Sequence, residues 1–363
     1  MRYIFLLFFA FLLGLGAILY LNKNRLPSLR EIVPIAQFQK LPIKREAPEL
    51  VGIQDWINSE PLTLKELRGK VVLVDFWTYT CINCIRTFPH LSEWHRKYKD
   101  SGFVLLGVHS PEFNFEKKKE NVVKEVRKYG LEYPIALDND HETWNAFQNR
   151  YWPAEYLIDV NGNIRYHHFG EGRYAETESA IQQLLLEAGL LSIDKITEIR
   201  KVPSDVEFRK IGTPEIYLGY SRIKNLGNQE KNIPPNEPYT FSEPKNIAQN
   251  RFYFVGTWNI MPEFAEFGGE EGKLILRYKA NKVNVVLESR ENLEIQLEVR
   301  LDGEYLTDQN KGADVFFKDG KSFVNVQNSK LYNFVDTGNT YDWHTLEIMI
   351  FSPGLRAFTF TFG

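Results

Sequence analysis

Apolar residues follow two rhythms along this chain, and the rhythm changes near its middle. Over residues 71–76 the sequence is apolar without alternation except at Asp75, the pattern of a strand covered on both faces in the middle of a sheet. Ile85, Phe88, Leu91, Trp94 and Tyr98 then recur at three- and four-residue steps, which predicts a helix with one buried face. Residues 103–108 read as a second buried strand. Residues 115–129, rich in Lys and Glu around Val122, Val123 and Val126, read as a second helix stopped by Gly130. A short strand at 135–137, a helix at 142–148, a strand at 155–160, a turn at Asn161 and Gly162, a hairpin partner at 164–169 and a helix at 177–188 follow. With a turn of helix over 62–70 in front, this order predicts an α/β unit around a mixed sheet.

Past Leu190 a charged connector runs to about residue 211. Beyond it residues 273–278, 283–287, 293–301, 322–326, 345–351 and 357–362 alternate apolar and polar side chains, with turns such as Asp302-Gly303 and Asp319-Gly320 between them. Short alternating strands with little helix predict a β-sandwich. Upstream, Pro27, Pro34, Pro42 and Pro48 interrupt an aperiodic stretch that reads as a spacer. The expected division is therefore a membrane segment at 1–25, a linker at 26–48, an α/β unit at 49–190, a linker at 191–212 and a β-sandwich at 213–363.

The membrane segment is an unbroken apolar run over residues 3–21, whose 19 residues nearly cross a hydrocarbon core at about 1.5 Å rise each and about 30 Å of thickness. Small residues at Gly14, Gly16 and Ala17 offer a cleavage site, and secretion after cleavage is the alternative. The run continues past them through Leu21, as an uncut anchor does. Lys23, Arg25 and Arg30 follow it and only Arg2 precedes it, which by charge alone favours the opposite orientation; the large domain that follows outweighs that bias. The expectation is a single-pass protein of the cell membrane with its folded part extracytoplasmic, in the periplasm. Composition is ordinary for a globular chain at 43% apolar and 25% charged, and a net charge of -3 with interspersed signs gives no reason to expect nucleic acid.

Only two cysteines occur, Cys81 and Cys84, and a lone C-x-x-C is explained by chemistry more readily than by architecture. Disulfide exchange needs an accessible thiolate with a second thiol within reach. Cys81 lies where the first buried strand gives way to the first helix, so its sulfur is expected at the positive end of that helix and Cys84 one turn on. Cys81 is the expected nucleophile and Cys84 the resolving thiol. Asp75 is costly in an apolar strand unless it is neutral or has a task, and burial suits it to accept a proton from Cys84. Pro89 is expected to kink the helix, and Pro153 is a candidate cis proline that leaves the Trp152 backbone free for an extended substrate. Trp77, Trp152 and Pro153 are the expected substrate-binding residues. Arg86 and Glu155 are candidate modulators, set against the simpler readings of a solvated helix face and a rim carboxylate. His167 and His168 alternate along a strand and cannot both join one site.

Together, Val74-Asp75-Phe76-Trp77, the C-x-x-C, Pro89 five residues beyond it and Pro153 before a strand resemble the thioredoxin superfamily. More narrowly, the stretches at 77–91, 133–140 and 151–159 look like the soluble part of the DipZ-type, TlpA-like oxidoreductases. The likeness runs loosely from about Ala47 to Phe358-Thr359-Phe360-Thr361-Phe362-Gly363, because that family continues into a carbohydrate-binding-module-like jelly roll. The resemblance implies attack by Cys81, resolution by Cys84, proton handling by Asp75, a cis bond before Pro153, protein thiol or disulfide clients and no cofactor. Larger members carry a CcdA-related membrane domain that delivers electrons; here a single apolar run stands in its place, so a CcdA-like donor is expected in trans. Tethered relatives more often reduce, for example in cytochrome c maturation, and reduction is the expected direction; an oxidant or isomerase of secreted proteins is the alternative.

Two other chemistries compete. Thr78 and Cys81 form the T-x-x-C of thioredoxin-fold peroxidases, although Val74 stands where those enzymes need a proline. Cys81, Cys84, His90 and His95 supply four zinc-type ligands, against which stands their spread along one helix. In the second half Tyr217, Tyr220, Trp258, Phe264, Phe267, Tyr332 and Trp343 are candidates to stack on a glycan or hold a protein, or simply to fill the sandwich core.

Overall fold

The computed structural model describes residues 41–196, 199, 206–230 and 232–363. The expected membrane segment at 1–25 lies outside them, and among the described residues no helix is long and apolar enough to cross a membrane.

The first unit is a seven-stranded sheet of β1 (Arg45–Glu46), β2 (Asp55–Ile57), β3 (Val71–Trp77), β4 (Phe103–His109), β5 (Ile135–Leu137), β6 (Ala154–Ile158) and β7 (Asn163–Phe169), in the order β1-β7-β6-β3-β4-β5-β2. Its helices are α1 (Ile82–Tyr98), α2 (Lys119–Lys128), α3 (Glu142–Ala146) and α4 (Tyr174–Glu187). All seven residues of β3 are buried. It runs parallel to β4 and antiparallel to β6, so both its edges are paired. Its alternate residues serve different cores: Leu73 and Trp77 pack with Phe88, Leu91 and Ile181 of α1 and α4, while Val72, Val74 and Phe76 pack with Leu64, Trp144 and Phe147.

Three local expectations are corrected. Residues 64–69 form turns rather than helix. The end of the expected spacer joins the sheet, because Arg45 and Glu46 pair with Ile164 and Asn163 at the edge of β7. The helix expected over 115–129 is split into a 3-10 turn at Asn114–Lys117 and α2, with Lys118 extended between them. Its physical cause is Glu116, whose carboxylate accepts the backbone N–H groups of Glu112 and Phe113 at 2.6 and 2.9 Å and so winds the chain tightly around itself. Helix α1 runs through Pro89 as one element.

The second unit is β-rich, and its two sheets share one strand, Arg251–Ile260. Residues 251–255 pair with Gly272–Ala280, and residues 256–260 pair with Pro238–Phe241 and Ala265–Phe267. The strand changes sheets at Gly256, where φ is +86° and an added Cβ would lie 2.8 Å from the Glu271 carbonyl oxygen. Phe254, Trp258, Leu276, Leu287, Val299, Ile348 and Phe360 fill the core between the sheets.

The units pack on each other. Phe358 is 1% exposed and lies with its ring 5.0, 4.8 and 5.1 Å from those of Phe113, Phe115 and Phe264. Polar bonds frame these rings: the Tyr79 hydroxyl donates to the Ser329 carbonyl at 3.3 Å, the Asn114 amide donates to Glu263 at 2.9 Å, and Arg222 pairs with Glu112 at 2.7 Å. Phe358→Ala is expected to lower the unfolding free energy by about 3–5 kcal/mol, the usual loss for a buried ring. Urea unfolding checks it, and a loss below about 1 kcal/mol would show that these rings do not carry the docking.

Candidate active site

Cys81 and Cys84 are joined in a disulfide with Cα atoms 5.2 Å apart. Cys81 is the N-cap of α1, with extended backbone at φ −78° and ψ 107°, and its Sγ accepts the Cys84 N–H at 3.1 Å. The first turn of α1 holds no acidic residue, so the unpaired N–H groups of the helix start meet this sulfur unopposed. Cys81 is partly exposed, whereas Cys84 is fully buried among the residues that pack α1 against the sheet. The pair is thereby divided into an accessible sulfur and a shielded one.

Asp75 and Glu155 stand directly opposite each other in the β3–β6 register, so their side chains share one face of the sheet. Leu73 and Trp77, two residues either side of Asp75 and on its face, pack in the core that contains Cys84. Burial, and then the charge of Glu155, hold the Asp75 carboxyl well above the usual carboxylate range. Burial pushes Glu155 up to about 7, against the pull of a 2.9 Å hydrogen bond from the Thr177 hydroxyl. Both oxygens of Asp75, the Trp77 indole N–H and the Tyr133 hydroxyl are buried without a hydrogen-bond partner. Gly107, the β4 neighbour of Asp75, leaves room for two of them: a Cβ there would lie 2.9 Å from Trp77 Nε1 and 3.1 Å from the Tyr133 ring.

The other expected site residues are dispersed. Trp77 is fully buried, edge-on to Phe88 at 5.1 Å and to His109 at 4.9 Å, because the alternation of β3 turns it under α1; the expectation that it meets substrate is corrected. Trp152 is half-buried beside Trp144 and donates its indole N–H to the Ser110 carbonyl at 3.0 Å. The Trp152–Pro153 bond is cis. Glu155 is not a rim carboxylate, being 2% exposed. Nor is Arg86 a solvated side chain: it donates to Asn83 at 3.1 Å and pairs with Glu171 at 3.1 Å, bracing the start of α1. His90 stacks on Tyr174 at 3.6 Å, and His95 lies 6.0 Å from Tyr133. Among the described residues no three His, Cys, Asp or Glu side chains gather round one point.

Two groups escaped the sequence reading. Glu116 is fully buried and accepts the Thr80 N–H at 3.2 Å and the Thr80 hydroxyl at 2.7 Å, beside its bonds to Glu112 and Phe113. It ties the residue before Cys81 to the loop that carries the second unit. Burial raises its carboxyl to about 7 against the Thr80 bond. His109, fully buried with its Nε2 3.4 Å from the Thr78 hydroxyl, is pushed down to about 3 by burial and stays neutral. No local pattern marks either residue, since each acquires its partners from another strand or loop. Cys81 itself opens into a cleft of about 590 Å³ whose walls come from both units.

Comparison with known proteins follows the same division. Residues 43–167 match the AhpC/TSA family and residues 213–363 match the family described as "Thioredoxin like C-terminal domain". The chain is 37% identical over 321 residues to Protein DipZ of Mycobacterium tuberculosis, a match that covers 87% of this chain and 43% of DipZ. The chain thus spans less than half the length of that relative. It is 30% identical over 146 residues to thiol-disulfide oxidoreductase YkuV of Bacillus subtilis, covering 40% of this chain and 97% of YkuV. With thiol-disulfide oxidoreductase ResA of Bacillus thuringiensis the identity is 28% over 149 residues, covering 41% of this chain and 82% of ResA.

The raised Glu155 carboxyl makes a prediction about stability. Its folded value of about 7 exceeds the ordinary 4.5, so the folded chain holds a proton that the unfolded chain has released between those values. The contribution is fully present below 4.5 and is lost as pH rises through 7. Glu155→Gln removes that loss, and relative to the parent it is expected to gain about 3 kcal/mol between pH 4.5 and pH 8. Urea unfolding at both pH values checks this; a parent–variant difference that does not move with pH would contradict it.

Proposed function

This chain belongs to the TlpA-like thiol-disulfide oxidoreductases of the thioredoxin superfamily, and we propose that it reduces protein disulfides outside the cytoplasm while residues 3–21 tether it to the membrane. The observation that carries the reading is the division of labour at α1: Cys81 is accessible at the helix start with its sulfur in a hydrogen bond, and Cys84 is buried behind it.

In the reduced enzyme the Cys81 thiolate attacks one sulfur of a client disulfide. The client's other sulfur leaves as a thiolate and takes a proton from water. Cys84 then gives its proton to the Asp75 carboxylate and attacks Cys81 Sγ, which breaks the mixed disulfide and releases the client's second sulfur as a thiolate that takes a proton from water. Two electrons have passed to the client, now a dithiol, and the Cys81–Cys84 disulfide has formed. Asp75 suits the proton step because its burial makes the carboxylate a strong base once Glu155 holds the proton of the pair. The cycle is closed by a CcdA-like membrane electron donor acting in trans, and membrane placement in the periplasm would bring the two together.

The peroxidase reading fares worse. A peroxide-binding Thr78 would have to face Cys81, but Thr78 is fully buried with its hydroxyl at His109.

Two measurements test the proposal together. Cys84→Ser is expected to accumulate mixed disulfides with protein clients through Cys81, seen as adducts that a reductant removes, and Cys81→Ser is expected to form none. The Cys81–Cys84 potential is expected near that of thioredoxin, about −270 mV. A value near the strongly oxidising DsbA, about −120 mV, would overturn the reducing direction, and adducts on Cys81→Ser would overturn the assignment of the nucleophile.

A further inference from the structure

We propose that the β-rich unit builds a client subsite over Cys81, and that the subsite takes an extended polypeptide with an aromatic or large apolar residue beside its cysteine. The inference rests on the exchange at Cys81 argued above and names what that sulfur is presented to.

The cleft of about 590 Å³ is lined in part by Cys81, so a client whose sulfur meets Cys81 lies within it. Its volume falls in the range of about 300–1,000 Å³ that encloses a ligand of several rings. That is room for a few residues and far too little for a folded domain. One wall is made by Tyr151, Trp152 and Phe169 of the first unit, the other by Phe208 of the segment leading into the second unit and by residues of the second unit that include Tyr217. Tyr151, Phe169 and Phe208 are 54%, 40% and 44% exposed. Single exposed rings are ordinary on a protein surface, but three gathered round a reactive sulfur form an apolar patch of the kind that marks an interaction site.

The far wall is held in place before any client arrives. The Tyr217 hydroxyl donates to Glu112 of the first unit at 2.8 Å, and the Arg222 guanidinium lies 3.7 Å over the Tyr217 ring while pairing with the same carboxylate. A wall fixed by bonds between the units loses little freedom on binding. It also neutralises Glu112, and of the remaining ionisable groups in the lining Arg150 carries one positive charge while burial raises the Glu215 carboxyl to about 7. Selection by net charge is therefore weak, and selection falls to the rings.

The test uses the full chain, reduced, and three disulfides. Two are short synthetic peptides, each linked through its cysteine to a chromogenic thiol, with Phe beside the cysteine in one and Gly in the other; the third is a disulfide of two small hydroxyethyl thiols. The parent is expected to prefer the Phe peptide by about fivefold in kcat/KM, a ratio of the size one ring contact supplies. Phe208→Ala is expected to erase that preference through KM and leave the small disulfide unchanged, and Phe208→Tyr to restore it. The proposal is overturned by a parent without preference, by a preference that survives Phe208→Ala, or by equal loss on the small disulfide, which would make Phe208 a support for Cys81. Competition against the Phe peptide by a soluble β-glucan oligosaccharide would also overturn it and give the wall to a glycan. Failure of the parent to reduce even the small disulfide would instead remove the oxidoreductase reading beneath it.

Discussion

The hydrogen bond from the Cys84 N–H to Cys81 Sγ exists only because a helix begins at that point, and the helix begins there because β3 ends at Trp77, with one short loop between. A sulfur in the N-cap position does the work usually done by a Ser or Asp oxygen: it satisfies a helix-start donor, and in return the helix stabilises negative charge on it. The same geometry turns the next cysteine inward, since a residue three positions on lies one helical turn further along and against the sheet. Exposure of one thiol and burial of the other are thus two consequences of a single strand-to-helix junction, and the helix start favours negative charge on the exposed sulfur. Arg86 braces that junction through Asn83 and Glu171, and Glu116 holds its other side through Thr80.

Around this junction the fold tolerates groups that a purely structural core would exclude. Asp75 and Glu155 face each other in adjacent buried strands, and two negative charges there would repel in a medium that screens them poorly. At least one proton is held between them, at a cost to stability above neutral pH. The resolving step needs somewhere to put one proton, and a buried carboxyl pair is such a place. The unpartnered hydroxyl of Tyr133 and indole of Trp77 belong to the same region, beside the gap left by Gly107. Polar groups left without partners are expensive in a core, and Trp77 and Tyr133 lie in the same core as Cys84.

What could be read from the chain alone was whatever local pattern determines. The apolar run of β3 with Asp75 inside it, the stripe from Phe88 to Tyr98 and the C-x-x-C between them are all within one span of sequence, and periodicity locates them. The strand Arg251–Ile260 escaped because its two halves serve different sheets, so no single alternation runs through it, and Gly256 at the bend looks like a break. Arg45–Glu46 escaped because a two-residue edge strand has no period at all. Trp77 was misplaced as a substrate contact because its motif places it next to the cysteines in sequence without stating its face. Glu112, Tyr217 and Arg222 meet across more than 100 residues of chain, and no composition or spacing argument brings such distant residues together.

The second unit therefore enters the account through contact rather than through any chemistry of its own: it closes over the first through Phe358 and contributes a wall to the cleft where the sulfur waits. The claim on which the rest depends is electrostatic, that the helix start holds the Cys81 sulfur as an anion. Alkylation of the reduced protein by iodoacetamide, followed at Cys81 across pH by mass spectrometry, measures it. The account predicts a midpoint at least about one unit below the 8.5 or so of a free thiol. A midpoint at or above that of a free thiol would contradict it.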